Sequence, residues 1–399
     1  ADAETGRAGP AALRARRAAL AASRLGEAVR GGWTEVRSIQ TDELREKRAV
    51  LDRPLDRWAT AAWERALGDE VWRHFDPHLW DYELAFGPEI DRLEPDLVHA
   101  NDFRMSGVGA RAVTRLRGAG RETRLVYDCH EWVPGMSPRT RHGRWIAAQA
   151  AYERVFIHAA DAVTTVSEPL ADLLVEEHGL ATRPAVVLNA PVVDPPTGEE
   201  AGPTVRDRCG LDDDVPLLVY SGVLAPQRGV GTMVEAMPAL PGVHVALVVS
   251  SPTSPFALEL VARATELGVE DRLHFCPYVA PEHVVRYVST ATVGVHPTTH
   301  LPNHEISLAT KFFEYAHARI PIVVSDVRTM SEAVRRHEIG EVFVAEDVAD
   351  YARAVRTVLG DPERYQKAYD DHREMQDEWT WERQADVLDA VYARLVEGR

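Results

Sequence analysis

The stretch PLLVYSGVLAPQRG, residues 216–229, decides the fold. Leu217 to Tyr220 are apolar at consecutive positions, so both faces of an extended segment are hidden, as in a strand of a buried parallel sheet. Gly222 closes that strand and lets a ligand approach the backbone, and Arg228-Gly229 stands just ahead of a helical pattern. A helix start offers free N–H groups and a positive dipole end, and the Arg228 guanidinium adds a fork suited to phosphate oxygens. A plainer role fits the same residues, with Gly222 turning a tight loop and Arg228 lying along the surface.

Outward from this stretch the pattern repeats. Strands are expected at Asp96–Ala100, Arg124–Asp128, Ala162–Val166 and Ala185–Asn189, then at Pro216–Ser221, Val243–Val249, Arg272–Cys276, Thr292–His296, Ile320–Ser325 and Glu341–Val344. Helical periods fall between them, among them Gly231–Met237, Pro255–Leu267, Pro281–Val288 and Lys311–Ala318. The segment APVVDPPTGEEAGP, residues 190–203, has no apolar period and reads as a linker. Two doubly wound α/β domains facing each other follow, residues 1–200 and 201–375, with ligands in the cleft at the carboxyl ends of the strands. Residues 376–399 carry a final amphipathic helix from Trp381. The first 95 residues are rich in Arg, Ala, Glu and Trp, offer only Glu35–Ile39 as a poor strand, and show no buried opening strand.

A second stretch, NHEISLATKFFEYAHARIPIVVS over residues 303–325, carries chemistry. A helix starting near Thr310 sets Lys311 and Glu314 one turn apart while Phe312, Phe313 and Ala316 face the core. A carboxylate at Glu314 can accept both hydroxyls of a ribose, and the amides of Ser307, Leu308 and Thr310 can hold a phosphate. The competing reading is a surface ion pair worth a few tenths of a kcal/mol. In the first half Asn101 and Asp102, then His130 and Glu131, each follow a strand, where they can meet a sugar or act as acid or base, or serve structure alone. Gly107-Val-Gly109-Ala-Arg-Ala112 matches a dinucleotide fingerprint in spacing, but six residues part it from the strand it must follow directly. No Walker loop, zinc spacing or nucleophile elbow occurs.

Composition sets the outer bounds. Of 399 residues 45% are apolar and 27% charged, ordinary globular usage, and the net charge of −17 argues against nucleic acid as a partner. No apolar run nears the roughly 20 residues of a membrane span. The basic, Ala-rich stretch Ala11–Val29 allows at most a peripheral membrane contact. Cys129, Cys209 and Cys276 are scattered without metal-ligand spacing, and no signal-peptide pattern opens the chain, so a reducing cytoplasm is expected.

The chain from about residue 95 onward resembles the family-4 glycosyltransferases, retaining enzymes of the GT-B fold. The family pattern of a strand, Gly-Arg-Leu, three residues and Lys-Gly is similar to Gly222-Val-Leu-Ala-Pro-Gln-Arg228-Gly229. Its Ser-Leu-Pro-Asn-Lys-Leu-Phe-Glu-Tyr is similar to Ser307-Leu-Ala-Thr310-Lys311-Phe-Phe-Glu314-Tyr315, followed here by Pro321-Ile-Val-Val. Asp128-Cys-His130-Glu131, Val166-Ser167-Glu168, Asn189 and the closing Trp381-Glu382 are further echoes.

The resemblance implies a metal-independent transfer of a sugar from a nucleoside diphosphate sugar, as co-substrate and with no cofactor, to a small-molecule, glycan or lipid-linked acceptor. It places the acceptor in the first Rossmann-like domain and the donor in the second, with the last helix crossing back. It implies Gly222, Arg228, Ser307, Leu308, Thr310, Lys311 and Glu314 around the donor. Asn101, Asp102, Glu131, Asn303 and His304 fall around the sugar and acceptor, and His130, Glu305 and Arg228 in catalysis. Departures are Val223 in place of the first basic residue and Ala309 and Thr310 in place of Pro and Asn. The first acid of the Glu-seven-residues-Glu signature falls on Ile306, with Glu305 one position away: either Glu305 replaces it through a shifted loop or the role is absent. Base, sugar, acceptor and oligomeric state are not set by these motifs. Two rival readings stay open: a GT-B sugar-nucleotide epimerase or phosphorylase, and a non-catalytic nucleotide- or glycan-binding partner protein.

Overall fold

Among the described residues, ten parallel strands form two sheets. The computed structural model describes residues 54–136, 143–193 and 202–397; the Ala11–Val29 and Glu35–Ile39 stretches lie outside the described residues. The first sheet comprises β1 (Leu97–Asn101), β2 (Arg124–Cys129), β3 (Ala162–Thr165) and β4 (Ala185–Val186), side by side in chain order. The second comprises β5 (Leu217–Ser221), β6 (His244–Val248), β7 (Leu273–Cys276), β8 (Val293–His296), β9 (Ile322–Ser325) and β10 (Gly340–Phe343). Their order is β10-β9-β8-β5-β6-β7. Winding therefore reverses between β5 and β8, and the loops leaving these two neighbours diverge to open a crevice at their carboxyl ends.

Burial on both faces explains the apolar runs. Along β5, Leu218 and Tyr220 enter a core shared with the Val230–Ala236, Pro255–Glu266 and Val348–Gly360 helices. Leu217 and Val219 enter the opposite core, beneath the Thr310–His317 and Arg328–His337 helices. Phe312 and Phe313 meet Trp379 there in edge-to-face pairs at 5.5 and 5.3 Å between centroids, so the second motif is anchored from below.

One expected strand is shorter than its sequence suggests. The fourth strand, expected over Ala185–Asn189, ends at Val186. The Val187 N–H still bonds the Thr165 carbonyl at 2.7 Å, but the next amide, of Leu188, is captured by Gln384 Oε1 at 2.9 Å. Gln384 belongs to the Trp381–Glu397 helix, which crosses back to the first half, where the Tyr392 hydroxyl meets His99 Nδ1 at 2.8 Å. The glycines at 107 and 109 lie within the Phe103–Gly118 helix and serve packing: a Cβ on Gly107 would stand 2.2 Å from the Tyr152 hydroxyl, and one on Gly109 2.7 Å from Leu125 Cδ1. Among the described residues before β1, the chain is helical, chiefly Pro54–Leu67 and Leu79–Leu93. No helix of the described residues is long and apolar enough to cross a membrane.

Candidate functional site

The carboxyl ends of both sheets face one cavity of about 410 Å³. From the first half it is lined by Asp102 and Arg104 after β1, His130 and Glu131 after β2, and Trp145; from the second by Gln227 and Arg228 after β5, and Asn303, His304, Ile306 and Ser307 after β8. The switch-point crevice is therefore one wall and the first sheet's loops the other.

The loop after β5 is built on two glycines. Gly222 has φ 142°, and a Cβ there would stand 2.5 Å from Lys311 Nζ. Gly229 has φ 70° and ends the Pro226–Arg228 turn that presents the arginine. The turn is held by the neighbouring loop, because the Gln227 carbonyl accepts bonds from Thr298 Oγ1 at 3.1 Å and the Thr299 amide at 3.1 Å.

Beside the cavity, and reaching its wall at His304, lies a cluster of nitrogenous groups. Lys311 points its amine at the Tyr220 ring, 4.5 Å from the centroid; burial and the Arg228 charge push its pKa down to about 7. One turn on, burial raises the Glu314 carboxyl to about 7 against the pull of Lys311. His296, the last residue of β8, is 2% exposed and neither ring nitrogen has a partner; burial first, then Lys311 and Arg228, keep it neutral. His304 bonds the Thr299 carbonyl at 2.7 Å and Thr298 Oγ1 at 2.9 Å. Converging cations and neutral imidazoles, with one half-neutralised carboxyl, describe a place prepared for an anion.

The opposite wall is more acidic. Asp102 has φ 76° and caps the helix after β1, accepting the Arg104 amide at 3.1 Å, while the Arg104 guanidinium lies over the Phe103 ring. His130 Nε2 bonds Asp128 Oδ2 at 2.7 Å, which raises the histidine's pKa; burial opposes ionisation of Asp128, but bonds from His130, His99 and Thr164 keep it well below the usual range. Burial and Asp102 raise the Glu131 carboxyl.

The fold spreads these residues more widely than their positions in the sequence suggest. Asn101 is the exposed last residue of β1, opposite Asp128 in the ladder, and is not among the cavity's lining residues. Leu308 packs into the apolar core under β9, and Thr310 is the exposed first residue of its helix. Gly222, Lys311 and Glu314, each half-buried, lie beside the cavity's lining residues rather than among them. Glu305 does not face the cavity: its carboxylate bonds His300 Nδ1 at 2.5 Å and the Arg328 amide at 2.7 Å, at the start of the Arg328–His337 helix. That helix end, with His300, draws the acid outward, and Ile306, 4% exposed, faces the cavity instead. His296, Arg104 and Trp145 were not singled out from the sequence; only the position of His296 at a strand's carboxyl end hinted at it.

The two halves are stitched across the cavity. Asn303 Oδ1 accepts the Trp132 amide at 2.9 Å while its Nδ2 donates to the Trp132 carbonyl at 3.0 Å, and Ser167 Oγ donates to the Ile306 carbonyl. Asn303→Ala leaves both Trp132 backbone groups without these partners, at about 1–3 kcal/mol. A fall in Tm of several degrees is expected in thermal denaturation; an unchanged Tm would remove Asn303 as a clamp between the halves.

Comparison with known proteins places this architecture. Residues 203–375 match the family model described as Glycosyl transferases group 1, and residues 52–192 that described as Glycosyltransferase Family 4. Relatives include the D-inositol 3-phosphate glycosyltransferase of Geodermatophilus obscurus, 28% identical over 263 residues, 63% of this chain and 56% of that protein. That of Streptomyces bingchenggensis is 24% identical over 76% of this chain and 67% of its own length. The chain thus spans little more than half of the first of these relatives. Among solved structures, sucrose-phosphate synthase from Thermosynechococcus elongatus superposes with a TM-score of 0.65 at 21% identity, covering 80% of this chain and 79% of that one. Anabaena HepE in complex with UDP gives 0.60 at 18% identity, over 80% and 82%. The two sheets and the helix that crosses back make a GT-B fold, and with both models matched along successive halves of it, the chain belongs to the group 1 glycosyltransferases of the family-4 type.

Proposed function

We propose that this protein is a retaining glycosyltransferase that moves a sugar from a nucleoside diphosphate sugar to an acceptor hydroxyl without a metal. The observation that carries the reading is the meeting of Arg228, Lys311 and unpartnered His296 around Gly222 at the switch point, with Glu314 one turn beyond Lys311. In this reading Arg228 and Lys311 neutralise the diphosphate, whose charge grows as it leaves, and preorganised cations act where charge develops. Glu314 receives the ribose hydroxyls. His130, Glu131, Asn303 and His304 meet the transferred sugar and the acceptor, and closure of the two halves keeps water from the donor. Glu305, turned outward, acts at most on loop position. The UDP in the HepE complex makes UDP the first nucleotide to try.

The test is a thermal-shift screen with UDP, GDP, ADP and dTDP in chelator, since a ligand at 100 times its Kd adds about 2.7 kcal/mol. One nucleotide is expected to raise Tm, and Arg228→Ala to weaken it about tenfold or more. Glu314→Ala retaining full nucleotide affinity would overturn the ribose assignment. The presence of Ile306, not an acid, at the cavity favours a second reading, a binding protein without turnover; nucleotide binding with neither transfer nor donor hydrolysis would select it.

A further inference from the structure

Cys209 and Cys276 are 67 positions apart in sequence, yet their sulfurs lie 3.7 Å apart. Cys276 is the buried last residue of β7; Cys209, half-buried, ends the Val205–Cys209 helix, the first element described after the connection between the halves. Gly210 follows with φ 66°, so the chain turns away immediately and leaves the Cys209 side chain at the end of a short helix. The remaining cysteine, Cys129, is buried in the other half beside Glu153, with its sulfur 3.5 Å from Glu153 Oε1.

We propose that Cys209 and Cys276 are an oxidisable dithiol, a modification site that closes to a disulfide under a hydroperoxide. A disulfide needs the sulfurs at about 2.05 Å, so the gap to be closed is about 1.6 Å, shared between two side chains, one of them at a helix end. The hydrogen bond between the sulfurs favours a thiolate on Cys276, against its burial, and makes it the attacking atom. Its sulfur forms a bond to one peroxide oxygen as the O–O bond breaks; the departing oxygen takes a proton and leaves as water, giving a sulfenic acid. The Cys209 sulfur then attacks the Cys276 sulfur, the S–O bond breaks, and a second water leaves with the Cys209 proton. Two thiols lose two electrons and one hydrogen peroxide becomes two waters. The bond ties the entry of the second half to the carboxyl end of β7 and, by closing a long loop in the unfolded chain, stabilises the fold.

The experiment is stepwise hydrogen peroxide on the full chain, alkylation in denaturant, and peptide mass mapping, with dithiothreitol reversal. Free thiols are expected to fall from three to one, Cys129 remaining, with a Cys209–Cys276 linked peptide in a monomer and a Tm raised by several degrees. Cys209→Ser and Cys276→Ser each remove the link and the Tm rise. Three persisting thiols, irreversible over-oxidation of Cys276 without a link, or links only between chains would each overturn the proposal. Nucleotide binding plays no part in these readouts, so the result stands apart from the transfer reading.

Discussion

Gly229→Ala is expected to lower the unfolding free energy by about 2–4 kcal/mol and to abolish the nucleotide-induced rise in Tm. Two costs combine. At φ 70° any L side chain is strained, and the new Cβ would stand 1.7 Å from the Pro297 carbonyl oxygen and 2.7 Å from its carbon, both backbone. Backbone cannot rotate aside, so either the Pro226–Arg228 turn or the loop after β8 must move. Both hold the site, since the Gln227 carbonyl is bonded to Thr298 and Thr299, and Thr298 to His304. Displacing either separates Arg228 from the Lys311 cluster. Gly231→Ala, two residues on in the Val230–Ala236 helix, meets nothing within 4 Å and replaces a poor helix former, so its stability is expected to hold or rise by up to about 1 kcal/mol. Denaturant unfolding of the two variants side by side checks the claim. A Gly229→Ala protein as stable as wild type, still shifted by nucleotide, would show that the loop relaxes freely and that the turn does not position Arg228.

The sequence was most informative where one physical cause acts alone. Strands buried on both faces need unbroken apolar residues, and each of the ten segments expected from that rule contains a strand, with ends displaced by one or two residues or cut short where a distant side chain intervenes. Gln384, some two hundred positions from Leu188, is such an intruder, and no local pattern announces it. The site was legible to the level of loops, because polar residues just past strand ends gather at the carboxyl edges of parallel sheets. It was not legible to the level of a single residue's phase. Glu305 and Ile306 are neighbours, and which faces the cavity is decided by His300 and by the start of a helix more than twenty residues later. The cysteines show the same limit: spacing alone left them scattered, and the packing of a short helix against β7 brings two of them together. His296 is a third case, for its significance lies in having no partner, which only the packed structure shows.

Lys311 ties stability to binding with opposite signs. Its amine falls from an ordinary value of 10.5 to about 7 in the empty site. Above pH 7 and below the unfolded value the unfolded chain binds the extra proton, so stability rises with pH through this window, and the cost of burying the cation is fully present below pH 7. Lys311→Met removes that cost, and the empty protein is expected to gain roughly 2–4 kcal/mol at pH 6.5. The same variant is expected to lose about a hundredfold or more in UDP affinity, because a diphosphate restores the charge that burial suppresses. Binding by the wild type follows the mirror-image rule: the amine is charged below pH 7, and above it each binding event must take up a proton. Glu314, raised to about 7, ionises over the same range and serves a ribose better as it does so, which partly conceals the effect. Glu314→Gln isolates it. In that background the Kd for UDP is expected to rise about tenfold per pH unit between about 7.5 and 9, with close to one proton taken up per UDP in calorimetry across buffers of different ionisation enthalpy. A Kd flat across this range would mean that the Lys311 amine is already charged in the empty site, and that Arg228 and the helix end hold the diphosphate without it.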